Sequence, residues 1–167
     1  MVITDIQTFS EYYERIRSRT SRVIEFFPPD KIEWTYQPGK FTLGDLVRHL
    51  ACIERYMYGE ILLGKPSRYN GCGTEYAKGY ENVVQFFNDL HRESMDIFSE
   101  LSNHDLQKKC LAPGGHAITT WKWLRALVEH EVHHRGQIYT YLSMLGVKTP
   151  PLYGLTSEQV IDLSSKS

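Results

Sequence analysis

Four stretches of the chain repeat apolar residues at intervals of three and four, the mark of helices that bury one face. In the first, Phe9, Tyr12, Tyr13, Ile16, Thr20, Val23 and Phe27 recur at that spacing. Two capping patterns precede it, Thr4-x-x-Gln7 and Thr8-x-x-Glu11, and Pro28-Pro29 closes it. The second opens on Thr42-Leu-Gly-Asp45, carries Leu46, Leu50, Ile53, Met57 and Ile61 inward, and stops at Gly64-Lys-Pro66. The third has the cleanest seam, Val83, Phe87, Leu90, Ser94, Ile97 and Leu101. The fourth is capped by Thr119-Thr120 and presents Leu127, Glu131, His134, Ile138, Tyr141 and Leu145 on one stripe. It ends at Gly146, a glycine of the kind that terminates helices, and Pro150-Pro151 blocks any continuation.

Between these stretches the period is lost. Residues 30–41 read as an irregular crossover in which Trp34 plugs one end of the core. Residues 65–80 form a long loop, a length associated with function or mobility, and its tyrosines are placed to roof a pocket. Residues 106–119 are a second long connection hinged at Pro113-Gly114-Gly115, and the final Ser-Ser-Lys-Ser reads as frayed. No segment alternates long enough to predict a useful strand. Four helices of about 20 to 27 residues, each roughly 30 to 40 Å long, with long connections predict an all-α four-helix bundle of up-down-down-up type. The 167 residues fit one domain, 1–167, with a sizeable core.

Composition narrows the functions available. Charged residues make up 23% and the formal net charge is -1, so there is no basic footprint for nucleic acid. Arg15, Arg17, Arg19 and Arg22 look like a cationic run, but they fall mostly on the solvent face of the first helix. No apolar run reaches the length of a membrane span and no secretory signal is visible. Cys52, Cys72 and Cys110 are odd in number and widely spaced, which suits reduced thiols in a cytoplasmic protein.

Candidate chemistry concentrates in Glu129-His130-Glu131-Val-His133-His134-Arg135-Gly136-Gln137. His130 and His134 lie one helical turn apart on one face, so together they offer two imidazoles to one metal ion. His133 projects about 100° away from His134, toward solvent or a rim. Two ligands do not close a site, since catalytic zinc-like centres usually take three from the protein. His49, three after Leu46 and four before Ile53, points inward from the second helix and is the obvious third donor. Asp45, one turn earlier, is foremost a capping carboxylate and secondarily a partner that would orient His49. Cys52 reads as a small buried hydrophobe. His91 and His104 read as surface residues, and His116 has no assigned role. His133, and after it His116, are the rivals for a place in the ligand set. The plainer alternative is that the inward histidines only pack.

These residues resemble the DinB-like (YfiT-like) family of four-helix bundle proteins over most of the chain. The resemblance is strongest in Leu127-Val-Glu-His130-Glu-Val-His-His134-Arg135-Gly136-Gln137-Ile138, followed by Leu142-x-x-Leu145-Gly146 and Pro150-Pro151, with Thr42-Leu-Gly-Asp45-Leu-Val-Arg-His49-Leu as a second part. It implies one divalent metal ion on His49, His130 and His134, with zinc or nickel common and iron, manganese or copper compatible. It further implies a thiol-dependent enzyme, a transferase of a bacillithiol-like low-molecular-weight thiol to an electrophilic substrate, and a homodimer. Glu131 is then expected as a base or a partner of the ligands, and Arg135 as a group that binds a substrate carboxylate or makes a structural ion pair. Metal-assisted hydrolysis, and a non-enzymatic metal-holding stress protein, are the alternatives.

Overall fold

In the computed structural model, which describes residues 2–166, each of the four periodic stretches is helical. α1 is Ile6–Ile24. α2 is one continuous rod in three parts: α-helical over Leu43–Cys52, π-helical over Ile53–Gly59, and a last α turn over Glu60–Leu62. α3 is Tyr80–Ser99 and α4 is Thr120–Met144. Among the described residues no helix is long and apolar enough to cross a membrane.

Packing gives the helix directions. Val23 and Ile24 at the end of α1 share a cluster with Leu43 and Leu46 at the start of α2, Val83 at the start of α3 and Leu142 at the end of α4. Phe9, Ile61, Phe98 and Trp123 form the reverse set at the other end. So α1 and α4 run one way and α2 and α3 the other, the expected up-down-down-up order. α1 packs on α3 and α4, and α2 packs on the same two helices. The parallel α2/α3 pair explains the long loop 63–79: the chain must return the length of a helix before it can start again.

Local chemistry accounts for the ends. Thr42 and Asp45 form the expected capping box, the Thr42 hydroxyl accepting from the Asp45 N–H and the Asp45 carboxylate accepting from the Thr42 N–H. α4 closes in a Schellman motif, in which the Gly146 N–H donates to the Ser143 carbonyl and the Val147 N–H to the Leu142 carbonyl. Gly146 takes φ +71°, where a side chain would be strained. Trp34 does plug the core, its ring edge-on to Tyr141 with centroids 5.7 Å apart.

Five expectations are corrected. The cap of α1 is Asp5, whose carboxylate accepts from the Thr8 N–H, rather than either threonine. The connection after α3 holds a small antiparallel ribbon, β1 Lys109–Leu111 and β2 Ala117–Thr119, too short for any periodic signal. Beyond Pro150-Pro151 the chain forms α5, Ser157–Ser164, capped by Thr156 and Gln159 and burying none of its residues. The tail expected to fray begins on the last residue of this helix, and its end, Ser167, lies outside the described residues. The α2 stripe slips phase inside the π segment, so that Tyr58, not Met57, faces the core. A π turn inserts a residue and rotates the remainder of the helix, a change invisible to a 3.6-residue template.

The fifth correction concerns charge. Arg17 is buried, 3% exposed, not on the solvent face. It meets Glu54 of α2 in an ion pair and sits with its Nη1 3.5 Å from Oε2 of Glu131 on α4. His91 of α3, expected at the surface, is also enclosed, its Nδ1 2.8 Å from Glu54. These four side chains form a polar layer between the two apolar clusters, with Val23, Phe87 and Ile138 on one side and Tyr13, Phe98 and Leu127 on the other.

Candidate metal centre

His49, His130 and His134 converge across the α2/α4 interface. Each offers one ring nitrogen, and the three nitrogens lie within 4.8 Å of one another. His49 Nε2 is 3.1 Å from His130 Nε2. Ring centroids are 5.0 Å apart for His49 and His130, 4.6 Å for His49 and His134, and 4.4 Å for His130 and His134. Helix geometry produces the last pair, since residues four apart share a face. The α2/α4 packing produces the other two, and sequence spacing has no access to it.

Neighbours set the tautomers. His49 Nδ1 is 2.8 Å from the Tyr69 hydroxyl, and His134 Nδ1 is 2.7 Å from Oε1 of Gln137. An amide oxygen only accepts, so His134 Nδ1 carries the proton and its Nε2 keeps a lone pair. His130 Nδ1 is buried with no hydrogen-bond partner. The imidazoles are held neutral. Burial, reinforced by His134, lowers His49 to about 4. Burial, reinforced by His134 and His49, lowers His130 to about 3. His134 is lowered by burial as well.

A roof covers His49. Tyr69 comes from the loop between α2 and α3, edge-on to the His49 ring at 5.6 Å, and the half-exposed Phe41 lies 5.3 Å away on the approach to α2. Arg48, the residue before His49, anchors this loop. Its guanidinium is fully buried and donates to the carbonyls of Cys72 and Ala77 and to the carboxylates of Glu33 and Asp45. Asp45 therefore serves the cap and Arg48, and the group that orients His49 is Tyr69. Cys52 is buried and its thiol is pushed up to about 12 by burial.

The other expected residues sort clearly. His133 is exposed, 3.3 Å from the Gln137 amide nitrogen, and His116 is exposed beside the β1–β2 turn. Glu131 is 1% exposed; one carboxylate oxygen faces Arg17 and the other, Oε1, has no hydrogen-bond partner. Arg135 is buried and donates from Nη1 to the Ile16 carbonyl at 3.0 Å, tying α4 to α1. Its guanidinium serves the helix packing rather than the mouth of the site. The loop tyrosines were expected to roof a pocket, and Tyr69 does; its bond to His49 and that of Gln137 to His134 were not expected, although Gln137 stands three after His134, a spacing that brings side chains together on a helix. A cleft of about 710 Å³ lies toward the far end of the bundle, lined in part by Ile61, Lys65, Cys110, Leu111 and Thr120. None of the three histidines lines it, and Thr120 is ten residues, roughly 15 Å, from His130. The cleft has volume without a converging donor set, so the chemistry is placed at the histidines.

Residues 12–138 match the family model described as the DinB superfamily. The chain belongs to the DinB superfamily. A DinB-like protein from Bacillus cereus has the same fold with a TM-score of 0.71 at 18% identity, over 89% of this chain and 97% of that one. The DinB-like protein YjoA from Bacillus subtilis gives 0.72 at 17% identity, over 89% and 99%. YfiT from Bacillus subtilis, described as a probable metal-dependent hydrolase with an unusual four-helix bundle topology, gives 0.66 at 16% identity, over 86% and 89%. No curated protein matches the chain. At such identities these likenesses show the DinB fold and leave the reaction to the site.

In this DinB-superfamily chain the histidine set fits a metal ion on its own chemistry. Two imidazole nitrogens on one tetrahedral zinc are about 3.3 Å apart, given bonds near 2.0–2.1 Å. The cluster spans at most 4.8 Å, a small contraction away. Neutral, partly buried imidazoles whose other ring nitrogen is held by a neighbour, as Tyr69 holds His49 and Gln137 holds His134, are what such ligands require.

Proposed function

We propose that His49, His130 and His134 hold one divalent metal ion and that the protein is a metal-dependent enzyme transferring a low-molecular-weight thiol to an electrophilic substrate. The carrying observation is the donor set itself, three neutral imidazoles and no carboxylate within the cluster. When bound, a divalent ion there supplies Lewis acidity with open positions and favours the deprotonated form of a nucleophile.

The surrounding residues suit a thiol. An ordinary thiol loses its proton near 8.5 and bulk water near 15.7, so a thiol needs far less help. The nearest buried carboxylate, Glu131, has one oxygen committed to Arg17 and the other enclosed away from water. Tyr69 and Gln137 orient the imidazoles of His49 and His134. The Phe41 and Tyr69 rings give the approach to His49 an apolar wall that excludes water from one side. Metal-dependent hydrolysis is the second reading, favoured by the description of YfiT.

Elemental analysis of chelator-free protein, beside His49→Ala and His134→Ala, tests the site. One divalent ion per chain in the wild type, lost in both folded variants, is expected. Thiol consumption with an electrophile such as monobromobimane then tests the reaction. Turnover that needs both the metal and the thiol supports transfer; ester hydrolysis at the same rate without thiol replaces it with the second reading. A wild type that takes up no zinc or nickel overturns both.

A further inference from the structure

The polar layer lies behind the triad at the same level of the bundle and takes one side chain from each helix: Arg17 from α1, Glu54 from α2, His91 from α3 and Glu131 from α4. Glu131 stands between two of the histidines in α4, and its side chain is a neighbour of His134 by the three-residue spacing. Glu54 follows His49 by five residues along α2. The side chains of Arg17, Glu54 and Glu131 are nearly inaccessible, at 4%, 0% and 1% exposed. Burial, with Arg17 beside it, holds His91 neutral, its pKa pushed down to about 4. With the flanking groups included, Glu14 3.3 Å from His91 Nε2 and the buried Arg135 bonded to the Ile16 carbonyl, three carboxylates face two guanidiniums, leaving one negative charge in excess.

A net charge inside a bundle is costly unless something nearby offsets it. Three imidazoles bring no negative charge to a divalent ion. One oxygen of Glu131 is left without a hydrogen bond, although the carboxylate is wholly enclosed. We propose that Glu54 and Glu131, offset in part by Arg17, are positioning residues that give the triad a buried negative counter-charge and thereby set its affinity for a divalent ion. The assignment rests on the triad being the metal site. It differs from a purely structural role in sign. Losing a carboxylate removes counter-charge and weakens binding. Losing the guanidinium removes opposing charge and tightens it. Structural damage would weaken binding in both cases.

Zinc affinity measured at pH 7.5 by competition with a chromophoric chelator tests this, with circular dichroism confirming each fold. Glu131→Gln is expected to weaken binding by about tenfold or more, the usual scale for groups behind metal ligands. Arg17→Met is expected to tighten it, and His91→Gln, which leaves the charge count alone, to leave it unchanged. If Arg17→Met does not fold, Arg17→Lys decides: it keeps the charge and loses the fork, so counter-charge leaves affinity unchanged and a geometric role lowers it. Weakening by Arg17→Met or by Arg17→Lys, or no effect of Glu131→Gln, overturns the proposal while the triad stands. A wild type that binds no zinc overturns both together.

Discussion

Arg48→Met is the substitution from which the architecture has most to lose outside the triad. Methionine keeps the apolar stem but removes five hydrogen bonds. These run from Nε to the Cys72 carbonyl at 2.9 Å, from Nη1 to Glu33 at 2.8 Å and the Ala77 carbonyl at 2.9 Å, and from Nη2 to Glu33 at 2.9 Å and Asp45 at 2.7 Å. The carboxylates retain some access to water, with side-chain exposures of 35% for Glu33 and 21% for Asp45, so they recover part of their solvation. The two carbonyls belong to buried residues and do not. Leaving each unsatisfied costs about 1–3 kcal/mol, and losing a buried charged partner costs about 3–5 kcal/mol in comparable cases. A loss of about 4 kcal/mol is therefore expected, a fall in Tm of roughly 8–16 °C for a chain of this size. Urea unfolding with circular dichroism gives the free energy, and hydrogen exchange locates it: amides of residues 63–79 should lose protection first. Freeing that loop withdraws Tyr69 from His49, so zinc affinity should fall as well. The double variant with Tyr69→Phe should then lose little more affinity than either alone, because both remove one interaction. A Tm within about 4 °C of wild type, near 1 kcal/mol on the same scale, together with unchanged exchange in the loop, would refute the reasoning.

Three further outcomes are expected. Tyr69→Phe alone should fold normally yet bind zinc about 10- to 100-fold more weakly, since it removes only the hydroxyl facing His49 Nδ1; equal affinity would mean that hydroxyl does not orient the ring. In metal-free protein, His49 and His130 stay neutral when folded down to about 4 and about 3, whereas the unfolded chain binds protons at these positions from about 6.5. The unfolded state thus binds more protons across that window, so Tm should fall as pH drops from 7 toward 4.5, with a shallower slope in His49→Gln; identical slopes count against buried neutral imidazoles. Removal of residues 157–167 should change Tm by less than about 2 °C, because α5 buries none of its residues, and a larger fall by calorimetry would show that α5 supports the bundle.

The four helices and most of their inward faces were legible in the sequence because burial repeats at the helical period. Phe9, Tyr13, Ile16, Val23, Leu46, Leu50, Val83, Phe87, Leu127 and Ile138 all lie where that period puts them. Thr42 and Asp45, and the Gly146 stop, were legible because caps are local chemistry. So was the His130/His134 pair, a matter of four residues on one turn. His49 was legible as an inward histidine.

The convergence of His49 on the other two was decided by the packing of α2 against α4, which brings together residues 81 positions apart. Tertiary structure alone also decided what the polar residues do. Arg17 looked like a surface cation and His91 like a surface histidine because periodicity scores polarity, not partnership. Arg17 is buried because Glu54 of α2 and Glu131 of α4 come to it, and His91 is largely covered because Glu14 of α1 and Glu54 of α2 do. The π segment, the Arg48 anchor and the pairing of Tyr69 with His49 share that origin: a loop of tyrosines suggests a roof, but a pattern read over one or two turns does not say which ring covers which distant group.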